Sequence, residues 1–142
     1  FGETMSVLGN RWAAALLLAT FLGTTRFTDF QTQLGAPPSL LAERLQTFCG
    51  IGVLASTAPA DRTGEERGAY LLTDKGRAFL PVMVAALQWA QRWFRAPEGP
   101  ALSLTHRGCG RVFTGELACD RCEGRLSGAR VAISGAEVVG IP

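Results

Sequence analysis

The sequence predicts a mainly α fold with a small β component (α+β), followed by a small β-rich segment. Three observations predict it. Two short helices with apolar stripes are separated by a glycine turn; two β-prone runs flank a Pro/Asp/Gly/Glu-rich tip directly after them; and a long helix with two apolar seams precedes a tail bearing cysteine and histidine. The 142 residues suffice for a domain of roughly 100 residues with a small satellite. The linker-like stretch APEGPALS sets the expected division at 1–96 and 97–142.

The first helix starts after Asn10, where Trp12, Ala15, Leu16, Ala19 and Leu22 recur at spacings of three and four, and Gly23 ends it. Phe27, Phe30 and Leu34 then mark one face of a two-turn helix with Asp29, Gln31 and Gln33 opposite, and Gly35 supplies a left-handed stop. Pro37 and Pro38 suit the start of a third helix, with Ser39 offering a cap or first-turn contact and Leu41, Leu45 and Phe48 forming its inward stripe. Helix, glycine turn, helix is the arithmetic of a helix-turn-helix. Val53 to Ala58 and Ala69 to Leu72 read as strands around a tip from Pro59 to Gly68, a β-hairpin wing that makes the pattern a winged helix-turn-helix.

Thr73-Asp74 looks like the cap of a long helix reaching Phe94, with a bend expected at Pro81 because proline removes a backbone bond. Its seams are Phe79, Val82, Ala86, Trp89, Trp93 and, beside them, Leu80, Met83, Leu87, Ala90, Phe94. Two adjacent seams make an arc wider than one small domain hides, so the expected dimer interface comprises Met83, Leu87, Trp89, Ala90, Trp93 and Phe94. Packing inside one chain is the alternative. Beyond the linker, Val112-Phe113, Val131 to Ile133 and Val138-Val139 suggest small strands.

The tail holds His106, Cys109, Cys119 and Cys122, two pairs with two-residue gaps, and RVFTGELA between them can fold as a hairpin about Thr114-Gly115. That is how a Cys3His zinc ribbon is built, and four protein ligands would make the zinc structural. Gly110 directly follows Cys109, whereas Gly124 comes one residue late after Cys122. Free thiols in a ribbon-shaped segment are the alternative. Cys49, between Phe48 and Gly50, reads as a buried core thiol.

Composition narrows the class. With 47% hydrophobic and 18% charged residues and no block of like charge, long disorder is excluded. The apolar run Trp12 to Leu22 is too short to span a bilayer, which takes ~20 residues, so no membrane association is expected. No leader opens the chain, so a reducing cytoplasm is expected, where cysteines serve as metal ligands or buried thiols. Up to Arg77, Arg11, Arg26, Arg44, Arg62, Arg67, Lys75 and Arg77 are balanced by Glu3, Asp29, Glu43, Asp61, Glu65, Glu66 and Asp74. Bulk charge therefore does not argue for a nucleic-acid partner; individual placement must. No phosphate loop, dinucleotide fingerprint or nucleophile-base pair is present, so an enzyme is not expected.

LGNRW, TRFTDFQTQLG, LLAERLQTF ending in GIGVL, the wing, LTDKGRAFLPV and LQWAQRWF, in that order over about residues 1 to 96, resemble the HxlR-type winged helix-turn-helix regulators. The resemblance implies a cytoplasmic bacterial homodimer that binds a palindromic operator, with about Pro38 to Phe48 as recognition helix. In winged-helix geometry Pro38, Ser39, Ala42 and Glu43 face the major groove, Arg44 and Arg26 reach the backbone, and Arg62 and Arg67 on the wing suit phosphate or minor-groove contact. Glu43 pairing with a neighbouring arginine, and solvated wing charges, are the bland alternatives. The function expected is a sequence-specific DNA-binding transcriptional regulator, most simply a repressor, acting as a homodimer on an inverted repeat of double-stranded DNA. The rival is a zinc-ribbon protein-interaction adaptor that does not bind DNA. A small-molecule effector could lie between the long helix and the tail.

Overall fold

The computed structural model describes residues 7, 9–58, 68–94, 97 and 102–132. The chain forms two compact units, Phe1–Leu80 and Pro81–Pro142. The long helix therefore groups with the tail, a division some sixteen residues earlier than the linker composition suggested. Among the described residues no helix is long and apolar enough to cross a membrane.

In the first unit, α1 (Arg11–Phe21) is capped by Asn10, whose side chain accepts a 2.8 Å bond from the Trp12 amide. Its buried face is Ala13, Leu16, Leu17, Ala19 and Thr20, rotated from the expected stripe: Trp12 and Ala15 are half-buried and Leu22 is exposed. Thr20 explains the rotation. Its hydroxyl donates to the Leu16 carbonyl at 2.8 Å, so the residue enters the core with its polar group satisfied and its methyl available for packing. Trp12 instead lies under the Arg11 guanidinium, 4.6 Å from its ring centroid.

Helix α2 (Phe27–Leu34) buries Phe27 and Phe30 and ends at Gly35, whose φ of 61° lets its amide donate to the Gln31 carbonyl at 2.9 Å. Helix α3 (Pro38–Gly50) buries Leu41, Leu45 and Phe48 as expected. Pro37 stands at its cap position and contributes no side-chain bond. Strands β1 (Leu54–Ser56) and β2 (Tyr70–Leu72) pair antiparallel with Leu54 opposite Leu72 and Ser56 opposite Tyr70. They are shorter than the expected runs, although the Thr57 amide still donates to the Ala69 carbonyl at 3.0 Å. The hairpin is tied to the helices at two points: the Tyr70 amide donates to the Thr25 carbonyl at 2.8 Å, and the Tyr70 and Phe30 rings meet edge to face with centroids 6.5 Å apart.

After β2 the chain makes a tight corner. Thr73 caps α4 (Asp74–Arg77) by accepting from the Gly76 amide, and its hydroxyl and amide also reach the carbonyls of Gly52 and Val53 at the exit of α3. Lys75 Nζ donates to the Ile51 carbonyl at 2.7 Å. Three successive carbonyls that leave α3 are thus caught by one turn of chain.

The expected long helix is two. After α4 the bonding tightens, with the Phe79 amide donating to the Gly76 carbonyl, and α5 (Leu80–Trp93) starts afresh. Pro81 is the reason, since it has no N–H for the Arg77 carbonyl that a continuous helix would present, and its ring would collide with that carbonyl. The helix breaks where only a bend was expected.

In the second unit, the tail forms two tight turns closed by isolated bridges, Thr105 with Val112 and Ala118 with Arg125. The expected hairpin about Thr114-Gly115 does not form. Gly115 lies between the turns, and both its backbone groups are taken by the Gln88 amide on α5, at 2.7 Å and 3.0 Å. The Gln91 amide likewise donates to the Leu102 carbonyl at 2.6 Å. Val131 and Ala132 are not in a strand and follow a short 3-10 turn, Gly128–Arg130; residues 133, 138 and 139 lie outside the described residues.

The corner yields a test. A Cβ at Gly76 would run into the Val53 carbonyl and come 2.9 Å from Leu72 Cδ2. Helix propensity alone favours Ala over Gly by about 1 kcal/mol, whereas overpacking costs roughly 1–3 kcal/mol and the contact with fixed backbone should win. Gly76→Ala is expected to lower the thermal midpoint by several degrees in calorimetry; an unchanged or higher midpoint would show that the corner yields.

Candidate nucleic-acid interface

Helix α3 divides cleanly. Its buried residues at 41, 45 and 48 leave Pro38, Ser39, Glu43, Gln46 and Thr47 exposed, with Ala42 and Arg44 half-buried at the margins. Ser39, Glu43 and Gln46 follow one another at spacings of four and three and share a face. Gln46 is absent from the sequence-based candidates, yet its amide can pair with two atoms of an adenine edge. Its position seven residues after Ser39 was the available signal.

Arg44 Nη2 lies 3.5 Å from Glu43 Oε1, so the neighbouring-arginine alternative for Glu43 is realised. Such an exposed pair contributes little to stability. The Arg44 Nε is buried and finds no partner among the described residues, while the side chain as a whole keeps 26% of its accessibility. Arg26 is exposed at the cap position of α2 and makes no capping bond. Arg62 and Arg67 lie outside the described residues.

The residues expected at a dimer interface separate into two groups on α5. Trp89, Trp93 and Phe94 are 59%, 64% and 70% exposed, with the Trp89 and Phe94 rings edge to face at 5.2 Å. Met83 is buried by the chain's own atoms, and Leu87 and Ala90 are half-buried. A third stretch of the helix, carrying Gln88 and Gln91, is covered by the tail. Part of one seam, at Met83, Leu87 and Ala90, is covered within the chain.

The four residues read as metal ligands form two pairs. His106 Nδ1 and Cys109 Sγ are 3.4 Å apart. In the second pair the amides of Arg121 and Cys122, and then the Cys122 thiol, donate toward Cys119 and pull its thiol below the ordinary range. Among the described residues no three His, Cys, Asp or Glu side chains converge on one point that could hold an ion. Cys49 is half-buried, and desolvation pushes its thiol up.

A helix-turn-helix whose second helix presents a polar face, with a two-stranded wing bonded to its exit, defines the chain as a winged-helix protein of the transcription-factor type. The profile of the HxlR-like helix-turn-helix family matches residues 7–98, and the chain belongs to that family. It is 31% identical over 130 residues to the uncharacterized HTH-type transcriptional regulator Rv3095 of Mycobacterium tuberculosis, which covers 92% of this chain and 81% of the relative. YvaP of Bacillus subtilis, also an uncharacterized HTH-type transcriptional regulator, is 29% identical over 94 residues, 66% of this chain and 85% of the relative. The crystal structure of PA1607, a candidate transcription factor, superposes with a TM-score of 0.77 at 32% identity, covering 92% of this chain and 89% of the other. A match of that extent takes in most of the tail. The family and these relatives are transcriptional regulators, not enzymes.

The cysteines give a chemical check on this placement. A raised pKa leaves less thiolate at a given pH, so in the folded, chelator-treated chain Cys49 should react with iodoacetamide at neutral pH more slowly than Cys119, whose shift has the opposite sign. Unfolding should erase the difference. Peptide mapping after brief labelling measures both, and equal rates in the folded chain would contradict the burial of Cys49.

Proposed function

We propose that the chain is a sequence-specific DNA-binding regulator that reads an inverted repeat as a two-fold dimer, with α3 in the major groove. The observation that carries this reading is the face of α3: Ser39, Glu43 and Gln46 project outward in helical register while Leu41, Leu45 and Phe48 hold the helix to the core. Ser39 donates or accepts, Gln46 suits adenine, Glu43 suits the cytosine amino group, and Ala42 can touch a thymine methyl. Pro38 shapes the start of the helix at the groove. Arg26 and Arg44 serve phosphates, and the wing arginines Arg62 and Arg67 extend the same role. Occupancy of the operator would exclude the transcription machinery, which is repression. Membership of a regulator family favours this reading over a protein-interaction adaptor.

Dimerisation follows from arithmetic. One subunit offers few cationic contacts, so useful affinity takes two half-sites about one DNA turn apart, ~34 Å. The exposed Trp89 and Trp93 supply an apolar patch for the mate, continued by Phe94. Such aromatic anchors commonly dominate an interface. The expected interface also includes Met83, which is buried, and Leu87 and Ala90, which are half-buried.

Two experiments test these claims. Selection of bound sequences from random duplex should return an inverted repeat. Gln46→Ala should relax the preference at one position per half-site, with a loss of about 1–3 kcal/mol for the preferred base, whereas Arg44→Ala should weaken all sequences alike and lower the salt slope by about one per half-site. Recovery of no consensus would end the proposal. For the dimer, Trp89→Asp is expected to sediment as a monomer and to lose operator binding. Full operator affinity in a monomeric variant would refute the two-fold arrangement.

A further inference from the structure

We propose that the tail holds one structural zinc ion through His106, Cys109, Cys119 and Cys122, and that the ion draws its two turns together into a ribbon anchored on α5. This is independent of the DNA-binding reading, since the first unit contributes no ligand.

The two turns are copies of one another, offset by thirteen residues. In the first, the Gly110 amide donates to the His106 carbonyl at 2.8 Å, the His106 amide to the Arg111 carbonyl at 2.9 Å, and the Phe113 amide to the Leu104 carbonyl at 2.9 Å. In the second, the Glu123 amide donates to the Cys119 carbonyl at 2.9 Å, the Cys119 amide to the Gly124 carbonyl at 2.9 Å, and the Leu126 amide to the Leu117 carbonyl at 2.8 Å. Each turn presents its ligand types at the first and fourth positions. Each then passes into the left-handed region at the fifth, Gly110 with φ 68° and Glu123 with φ 57°. Glu123 adopts that conformation without the freedom of glycine. The shape is kept where the residue type opposes it.

The spacing within a turn already suits the ion. Tetrahedral zinc with Zn–S of about 2.3 Å and Zn–N of about 2.0 Å sets its ligand atoms about 3.5 Å apart. His106 Nδ1 and Cys109 Sγ stand 3.4 Å apart.

The segment has no apolar core of its own among its described residues. No described residue from 102 to 132 is buried, and Val112, Leu117 and Val131 face solvent. A unit this small without an apolar core is usually held by a cross-link or a metal. The only histidine and three of the four cysteines lie here. No third donor joins either pair among the described residues, and Gly115, held by Gln88, lies in the chain between the two turns that the ion would draw together. A mixed nitrogen and sulfur donor set selects zinc among the divalent ions that accept tetrahedral geometry. With all four positions filled by protein, the ion has a structural role only.

Cobalt(II) reads the site directly. The full chain, reduced and stripped with chelator, is titrated with Co2+ and then with Zn2+. Saturation at one Co2+ per chain is expected, with the visible bands of a tetrahedral centre and a thiolate charge-transfer band, both removed by one equivalent of Zn2+. Cys109→Ser and Cys119→Ser should each abolish the tetrahedral spectrum, and Cys49→Ser should leave it unchanged. His106→Cys should keep it with a stronger charge-transfer band. Circular dichroism confirms that the variants retain their helices, which lie in elements without a ligand. No tetrahedral spectrum from the reduced chain, two ions per chain, uptake surviving in Cys109→Ser, or loss in Cys49→Ser would each overturn the proposal.

Discussion

The arrangement depends on how the exit of α3 is held. A helix that presents its outer face to a partner must be fixed from behind, and its last carbonyls are left without helical partners. Here the carbonyls of Thr47, Phe48 and Cys49 are taken by the amides of Ile51, Val53 and Gly52, and the carbonyls of Ile51, Gly52 and Val53 that follow are caught by Lys75 and Thr73, one turn beyond the wing. The corner approaches closely enough that Gly76 has no room for a side chain beside Val53. Wing, corner and helix are thereby a single mechanical unit, and the direction of the outward face is set by backbone bonds as well as by the buried Leu41, Leu45 and Phe48. The Tyr70 contacts with Thr25 and Phe30 close the same loop from the other side.

Much of this was legible because it rests on periodicity and on backbone-breaking residues. The inward positions of α3, those of Phe27 and Phe30 on α2 and the order helix, helix, wing follow from spacing, and Gly35 from its residue type, whereas Leu34, expected on the same face of α2, is half-buried. What spacing could not convey was satisfaction of polar groups. Thr20 lies outside the stripe that spacing marks on α1, yet its hydroxyl bonds back to Leu16 and lets it join the buried face. Pro81 announced a disturbance, but whether a helix bends or restarts depends on what the freed carbonyl can bond, a tertiary matter. The Thr114-Gly115 hairpin failed for a similar reason: a side-chain amide, Gln88, outcompeted the local turn for the backbone groups of Gly115.

The candidate site was legible to a comparable degree. The outward residues Ser39 and Glu43 follow from where the inward leucines fall, and Gln46 could have been added by carrying the same register one turn further. The apolar excess on α5 was visible, whereas its division between exposed tryptophans and a flank covered by the tail was not, because that cover is polar and leaves no hydrophobic pattern in the tail. The repetition within the tail was half-legible: the spacings of His106 to Cys109 and Cys119 to Cys122 match in the sequence, but the equivalence of Gly110 and Glu123 is conformational.

Placing a carboxylate beside Arg44 on the outward face of α3 weakens attraction to random duplex along with attraction to any particular sequence. Background association with DNA is almost wholly electrostatic. On the proposed DNA-binding reading, a low background attraction of this kind would shift the search from sliding along the polymer toward encounters from the surrounding solution. What would then govern occupancy at a given copy number is contrast, the margin by which one site exceeds the many others, and that margin would be drawn from the few groups proposed to meet base edges.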